Sequence, residues 1–247
     1  MIGIIGGSGL EDAQFFRGAK EITIDTPYGS HSPIKTGTIS KVEVALLSRH
    51  GYNHEHSPST VPYKANIFAL SKIGCTAIVA TSACGSLREE IAPGTFSFPD
   101  QFIDRTTKRE QSYTEKDSLI HESMAEPFDA KLRGILEKKC EELKMEYSAN
   151  TTLVTIEGPR FSTRAESELL RSWGCDLINM TTVPEVCLAK EKHIPYQVVN
   201  LVTDYDCWRE GTKAVTFDEV NKIVKLNIEK VKKLLTEALP EINKKFK

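Results

Sequence analysis

Residues 155–185 read TIEGPRFSTRAESELLRSWGCDLINMTTVPE. They hold an apolar strand end, the Gly158-Pro159 turn, a helix start marked by Ser162 and Thr163, an amphipathic helix, a second apolar strand and the polar turn Met180-Thr181-Thr182. Strands and helix following one another with so little filler read as part of an α/β fold. Thr163 with Glu166 three residues on has the spacing of a capping box, which marks a helix N-terminus, the end that favours anions. Cys175 to Met180 reads as a buried strand. Its carboxyl end presents the hydroxyls of Thr181 and Thr182, where open α/β sheets bind ligands. The plainer reading of each part is a helix cap and a turn.

Outward from that stretch, other strand ends have the same character. Met1 to Ile5 is an apolar run that leads into Gly6-Gly7-Ser8-Gly9, a loop in which glycines permit a tight turn and Ser8 adds a hydroxyl. As a dinucleotide fingerprint it is broken, because the third glycine position falls on Asp12, although Asp25 stands at roughly the distance of a ribose-binding acid; no Walker lysine follows. Ile34 to Ser48 predicts two strands around the Ser40-Lys41 turn, ending in Arg49-His50. An arginine just after a buried strand can grip phosphate with its planar fork, or be an ordinary surface residue. His50, His54 and His56 sit in a Pro- and Ser-containing loop without the regular scaffold of a metal site. Thr76 to Ala80 predicts a strand that discharges into Thr81-Ser82-Ala83-Cys84-Gly85-Ser86. The strand ends after Ile5, Ala80 and Met180 converge on one anion if their strands are parallel neighbours.

The remaining elements follow from periodicity. A helix starting near Val61 turns Ile67, Leu70 and Ile73 inward, and Pro127 and Asp129 introduce one carrying Leu132, Ile135, Leu136, Cys140 and Leu143. Tyr196 to Val202 is the last buried strand and runs into Thr203-Asp204-Tyr205-Asp206-Cys207-Trp208, two carboxylates beside a tryptophan. A long amphipathic helix from Phe217 to Leu239 is expected to end before Pro240. No Gly/Ser/Pro-rich linker divides the 247 residues, so one domain over 1–247 is expected.

Composition narrows the function classes. With 40% hydrophobic and 27% charged residues the chain has material for a sizeable core. A net charge of −2, from 32 basic and 34 acidic residues, leaves no footprint for nucleic acid or an anionic membrane. No stretch has the length of a membrane span or the form of a signal peptide, and the expected location is the cytosol. Cys75, Cys84, Cys140, Cys175, Cys187 and Cys207 are scattered without a C-x-x-C pair and read as reduced, mostly buried thiols.

GPRFSTRAES followed by NMTTVPE, with GIIGGSG, SRHG, TSACGSLREE, DQFIDRT, MAEPF and TDYDCW in one order, resembles the methylthioadenosine-cleaving branch of the purine nucleoside phosphorylase superfamily. The resemblance spans residues 2 to about 215. It implies an α/β fold with a central mixed β-sheet flanked by helices, phosphorolysis of an adenine nucleoside, and inorganic phosphate as co-substrate with no cofactor. It also implies a homotrimer in which His121 reaches into a neighbouring subunit's site; a solvent-exposed loop histidine is the plainer reading. By the same resemblance Ser8, Arg49, His50, Ser82 and Thr181 bind phosphate, Met180 and Phe161 pack against sugar or base, and Ala83, Ser162, Thr203, Phe217 and Val220 line the substrate. Asp204 and Asp206 recognise the base. A carboxylate accepts from the 6-amino group of adenine, which 6-oxopurines lack, and Asp204 in protonated form would donate to N7. Ser8 and Ser82 stand where threonines are common, Phe217 where a smaller apolar residue is expected, and many relatives continue beyond the long helix with a segment that helps close the 5′ pocket. The alternative is a broader purine nucleoside phosphorylase acting on adenosine or 5′-methylthioinosine. A nicotinamide-dependent enzyme or a noncatalytic nucleoside-binding protein is disfavoured by the broken glycine fingerprint and the anion-suited strand ends.

Overall fold

The computed structural model describes residues 1–6, 10, 15–115, 119, 121–211 and 215–247. The strands are β1 (Ile2–Gly6), β2 (Arg17–Ile22), β3 (Ile34–Ile39), β4 (Val42–Ser48), β5 (Ala77–Ser86), β6 (Phe96–Arg105), β7 (Tyr147–Ile156), β8 (Leu177–Asn179) and β9 (Tyr196–Asp204). Between them lie the helices α1 (Tyr63–Lys72), α2 (Ala130–Leu143), α3 (Arg164–Ser172), α4 (Thr182–Glu191) and α5 (Phe217–Lys245). The strands form one mixed sheet in the order β2-β3-β4-β1-β5-β8-β7-β6-β9, and a further pairing of β5 with β9 closes its second half into a ring. That is the α/β architecture with helices on both faces of a mixed sheet.

Strand alternation divides the interior in two. Ile5, Ile78, Ala80, Ala45, Leu47, Val198 and Val202 point to the face covered by α1 and α4. Their neighbours Ile2, Ile4, Val79, Val44, Leu46, Val199 and Leu201 point to the face covered by α2 and α5. Both faces are buried, which accounts for the apolar run of β1 and the mostly apolar reading of β4 and β9, broken only by Glu43, Gln197 and Asn200 before their polar ends.

Three expectations change. The strand from Thr76 does not stop at Ala80: Thr81 to Cys84 stay in parallel register with β9, and Gly85 and Ser86 pair with β8, so the hydroxyl-rich segment is strand rather than loop. β8 is antiparallel to β5, whereas β1 is parallel to it. The third strand end therefore reaches the second from the opposite direction. Finally, α5 runs through Pro240 to Lys245. The proline lacks an N–H, but Leu239 and Ile242 on either side are fully buried against the sheet, and that burial outweighs the lost helical bond. Among the described residues no helix is long and apolar enough to cross a membrane.

Candidate active site

A cavity of about 560 Å³ opens where the ends of β4, β5, β8 and β9 meet α5. Its walls include Arg49, His50, Ser82, Ala83, Phe161, Ser162, Met180, Thr181, Thr203, Asp204, Asp206, Phe217 and Val220, so residues spread over the whole sequence face one space. Ser8 lies outside the described residues. His121 is exposed on its loop and does not line the cavity within one chain.

One end is built for an oxyanion. Arg49 follows β4 directly and is buried, its N–H donating to Gly6 O at 3.0 Å. Its Nε and Nη2 donate to the two oxygens of Glu185 at 2.5 and 3.0 Å, and its Nη1 donates to Thr81 O at 2.9 Å. Burial works to lower the guanidinium's pKa, but the Glu185 carboxylate outweighs it and holds Arg49 above its usual range. One N–H on each of Nη1 and Nη2 remains for a ligand. Glu185 is itself buried and accepts a third bond, from Tyr196 Oη at 2.9 Å.

The hydroxyls of Ser82 and Thr181 lie 3.4 Å apart. Asn179 Nδ2 donates to Ser82 Oγ at 3.2 Å and to Thr182 Oγ1 at 2.7 Å, while Thr155 Oγ1 donates to Asn179 Oδ1 at 3.0 Å. This polar layer beneath the cavity holds the hydroxyls in place. His50 Nδ1 lies 2.8 Å from His56 O, and because a carbonyl only accepts, the ring proton sits on Nδ1 and Nε2 keeps its lone pair. Burial, aided by the charge of Arg49, pushes the His50 pKa down to about 4. At neutral pH the ring is an acceptor, suited to the O–H of a hydrogen phosphate. Among the described residues no group of three or more His, Cys, Asp or Glu side chains is placed to hold a metal ion.

The opposite wall carries the carboxylates. Asp204 ends β9 and accepts from Thr203 Oγ1 and from the Asp206 N–H, both at 2.7 Å. Burial raises its pKa; those two bonds pull the other way, and the nearby Asp206 charge adds to the rise. Asp206, in the left-handed region at φ 49°, is buried and has Ser162 Oγ 2.6 Å from both its oxygens. Room for the pair depends on Gly85, where a Cβ would stand 2.9 Å from Asp204 Oδ1. Met180 depends in the same way on Gly158: a Cβ there would come within 2.6 Å of its Sδ. The capping box starts α3 as expected, with the Thr163 and Glu166 side chains each bonded to the other's backbone, and fixes the approach of Phe161 and Ser162.

A family model described as the Phosphorylase superfamily matches residues 1–240. The chain belongs to the phosphorylase superfamily. Within that superfamily it is 49% identical to the S-methyl-5′-thioadenosine phosphorylase of Xenopus tropicalis, over 98% of this chain and 88% of that protein. Among solved structures, a methylthioadenosine phosphorylase from an antarctic soil metagenomic library superposes with a TM-score of 0.93 at 39% identity, covering 98% of this chain and 86% of the other. A variant of the adenosine/methylthioadenosine phosphorylase of Schistosoma mansoni, in complex with adenine, gives 0.92 at 38% identity, covering 98% and 91%.

Two polar residues at or behind the cavity wall, Glu185 and Asn221, were not singled out from the sequence. Glu185 closes the NMTTVPE motif, and the need of a buried arginine for a carboxylate partner was the available signal. Asn221 lines the cavity from α5 and carries no motif.

Proposed function

We propose that the chain is a methylthioadenosine phosphorylase, converting S-methyl-5′-thioadenosine and phosphate into adenine and 5-methylthioribose 1-phosphate. The observation that carries this is the placement of an oxyanion-suited cluster and an aspartate pair, Asp206 buried and Asp204 half-buried, on opposite walls of one cavity, in a chain 49% identical to an enzyme of that name.

Phosphate is held by the spare N–H groups of Arg49 and by the Ser82 and Thr181 hydroxyls, with His50 Nε2 accepting its O–H. One phosphate oxygen forms a bond to C1′ as the C1′–N9 bond breaks. The electron pair of that bond passes to the adenine ring, and Asp204 delivers a proton to N7 as charge collects there. The proton lost by phosphate balances the one gained by adenine. Asp206, fixed by Ser162, accepts from the 6-amino group and so selects adenine. Met180 and Phe161 pack on the nucleoside, Ala83 and Thr203 border it, and Phe217 and Val220 flank its 5′ end. No resident cofactor takes part. The working form is a homotrimer in which His121 of one subunit completes a neighbour's cavity, a role suited to its exposed loop.

Base release from methylthioadenosine, adenosine and 5′-methylthioinosine, with and without phosphate, tests the reading. Phosphate-dependent release of adenine is expected from methylthioadenosine. Preferential cleavage of methylthioinosine would overturn the role of the aspartates, and no release from any substrate would overturn the reaction. Native mass spectrometry reads the subunit number directly.

A further inference from the structure

The first turns of α5 put Phe217, Asn221, Val224 and Ile228 on the cavity wall. These positions are spaced four, three and four residues apart, so they form one stripe of the helix. Every member is apolar except Asn221. An asparagine in such a stripe normally turns its amide to a partner; Asn227 does so, donating from Nδ2 to Ile223 O at 2.9 Å. Asn221 is half-buried and its amide bonds to no other described residue.

The rest of the cavity says what this amide faces. Arg49, Ser82 and Thr181 mark the phosphate side, beneath C1′, and Asp204 and Asp206 mark the base. A ribose held between them must send its 5′ carbon to the remaining wall. That wall is the start of α5 with His54, whose ring stacks on His50 at 5.9 Å and meets Phe217 edge-on at 6.2 Å. A thioether asks nothing of an amide; a hydroxyl can both donate to its oxygen and accept from its nitrogen.

Resting on the phosphorylase reading above, we propose that Asn221 is a specificity-determining residue: its amide hydrogen-bonds the 5′-hydroxyl of adenosine, and the site takes 5′-hydroxy as well as 5′-alkylthio nucleosides of adenine. Because leucine has nearly the shape of asparagine, Asn221→Leu removes the polarity and keeps the packing.

The test compares kcat/KM for adenosine and methylthioadenosine in the wild type, Asn221→Leu and Asn221→Asp, at saturating phosphate. In Asn221→Leu, adenosine is expected to lose about five- to tenfold while methylthioadenosine stays within about twofold, the effect of one hydrogen bond. Asn221→Asp, which still accepts from the hydroxyl, should hold adenosine within about threefold of wild type. Equal losses for both nucleosides in Asn221→Leu would make Asn221 a packing residue, and no change in either would place the hydroxyl elsewhere; both overturn the proposal. A binding measurement keeps the question separate from catalysis. Calorimetry should show wild type binding adenosine more tightly than 5′-deoxyadenosine and Asn221→Leu losing that preference. If the wild type released no adenine from any nucleoside, the reaction would fall and the binding ratio alone would decide on Asn221; an unchanged ratio overturns its role.

Discussion

In the proposed reaction, Asp204 is the residue at which the chemistry concentrates. Burial lifts its pKa, so the carboxyl can carry a proton for N7, and only the protonated form can donate it. The rate should therefore fall as pH rises through the folded-state pKa of Asp204. Asp204→Asn is expected to lower kcat by about a hundredfold or more and to abolish that alkaline limb, which a pH–rate profile with methylthioadenosine reads out. In the same reading Glu185 is a positioning residue one step back, since it bonds to Arg49 and does not line the cavity. Glu185→Gln keeps a hydrogen-bonding partner but misaligns the fork, so KM for phosphate should rise about tenfold with KM for the nucleoside nearly unchanged. Glu185→Ala leaves a buried cation unpaired and should cost about 3–5 kcal/mol of stability, measured by denaturant unfolding.

At the scale of elements, what could be read from the sequence depended on whether burial left a periodic trace. β1, β4, α2 and most of α5 did so. β2, reading RGAKEI, is exposed along nearly its whole length and is held by pairing with β3, so no apolar pattern announces it. β6 escaped notice because Pro99 and Asp100 interrupt it, and its register with β7 shifts at that proline. The antiparallel direction of β8 depends on the path of the chain around it and has no local signature. The helix stop at Pro240 followed a sound local rule that tertiary burial overrode. Leu239→Ala should accordingly cost about 3 kcal/mol, seen as a lowered Tm, because this part of α5 is core rather than a frayed end. The residues that gather at the candidate site were more legible than the fold, since Arg49, Thr181, Asp204 and Asp206 all stand just past or at the ends of apolar strands. Glu185 and Asn221 were not, because a polar residue among apolar ones acquires meaning only once its neighbours in space are known.

For the whole molecule, the ends of several elements are tied together by Arg109, which donates to Val183 O at 2.6 Å and Glu157 O at 2.7 Å and pairs with the Glu157 side chain at 3.3 Å. Burial works to raise the Glu157 pKa, but hydrogen bonds from Ser59 and the Thr107 and Lys108 N–H groups, with the Arg109 charge, carry it down to about 2. Its contribution to stability is present above the unfolded value of 4.5 and is lost as pH falls toward about 2. His50 adds a loss of the same sign at higher pH. The folded state keeps it neutral down to about 4, whereas the unfolded chain protonates it from about 6.5, so stability declines across that interval. Equilibrium unfolding should show a decline that begins below about pH 6.5 and steepens below about 4.5; a stability flat from neutral to mildly acidic pH would contradict the His50 assignment. The Arg49–Glu185 pair has one more consequence, for the encounter with phosphate. With the guanidinium balanced by a carboxylate and the imidazole uncharged, the phosphate end of the cavity offers directed donors and little net positive charge of its own to attract an anion from a distance. Capture should then depend on collision and fit, hardly responding to ionic strength, and Glu185→Gln, by unmasking the cation, should make kcat/KM for phosphate fall as inert salt is added.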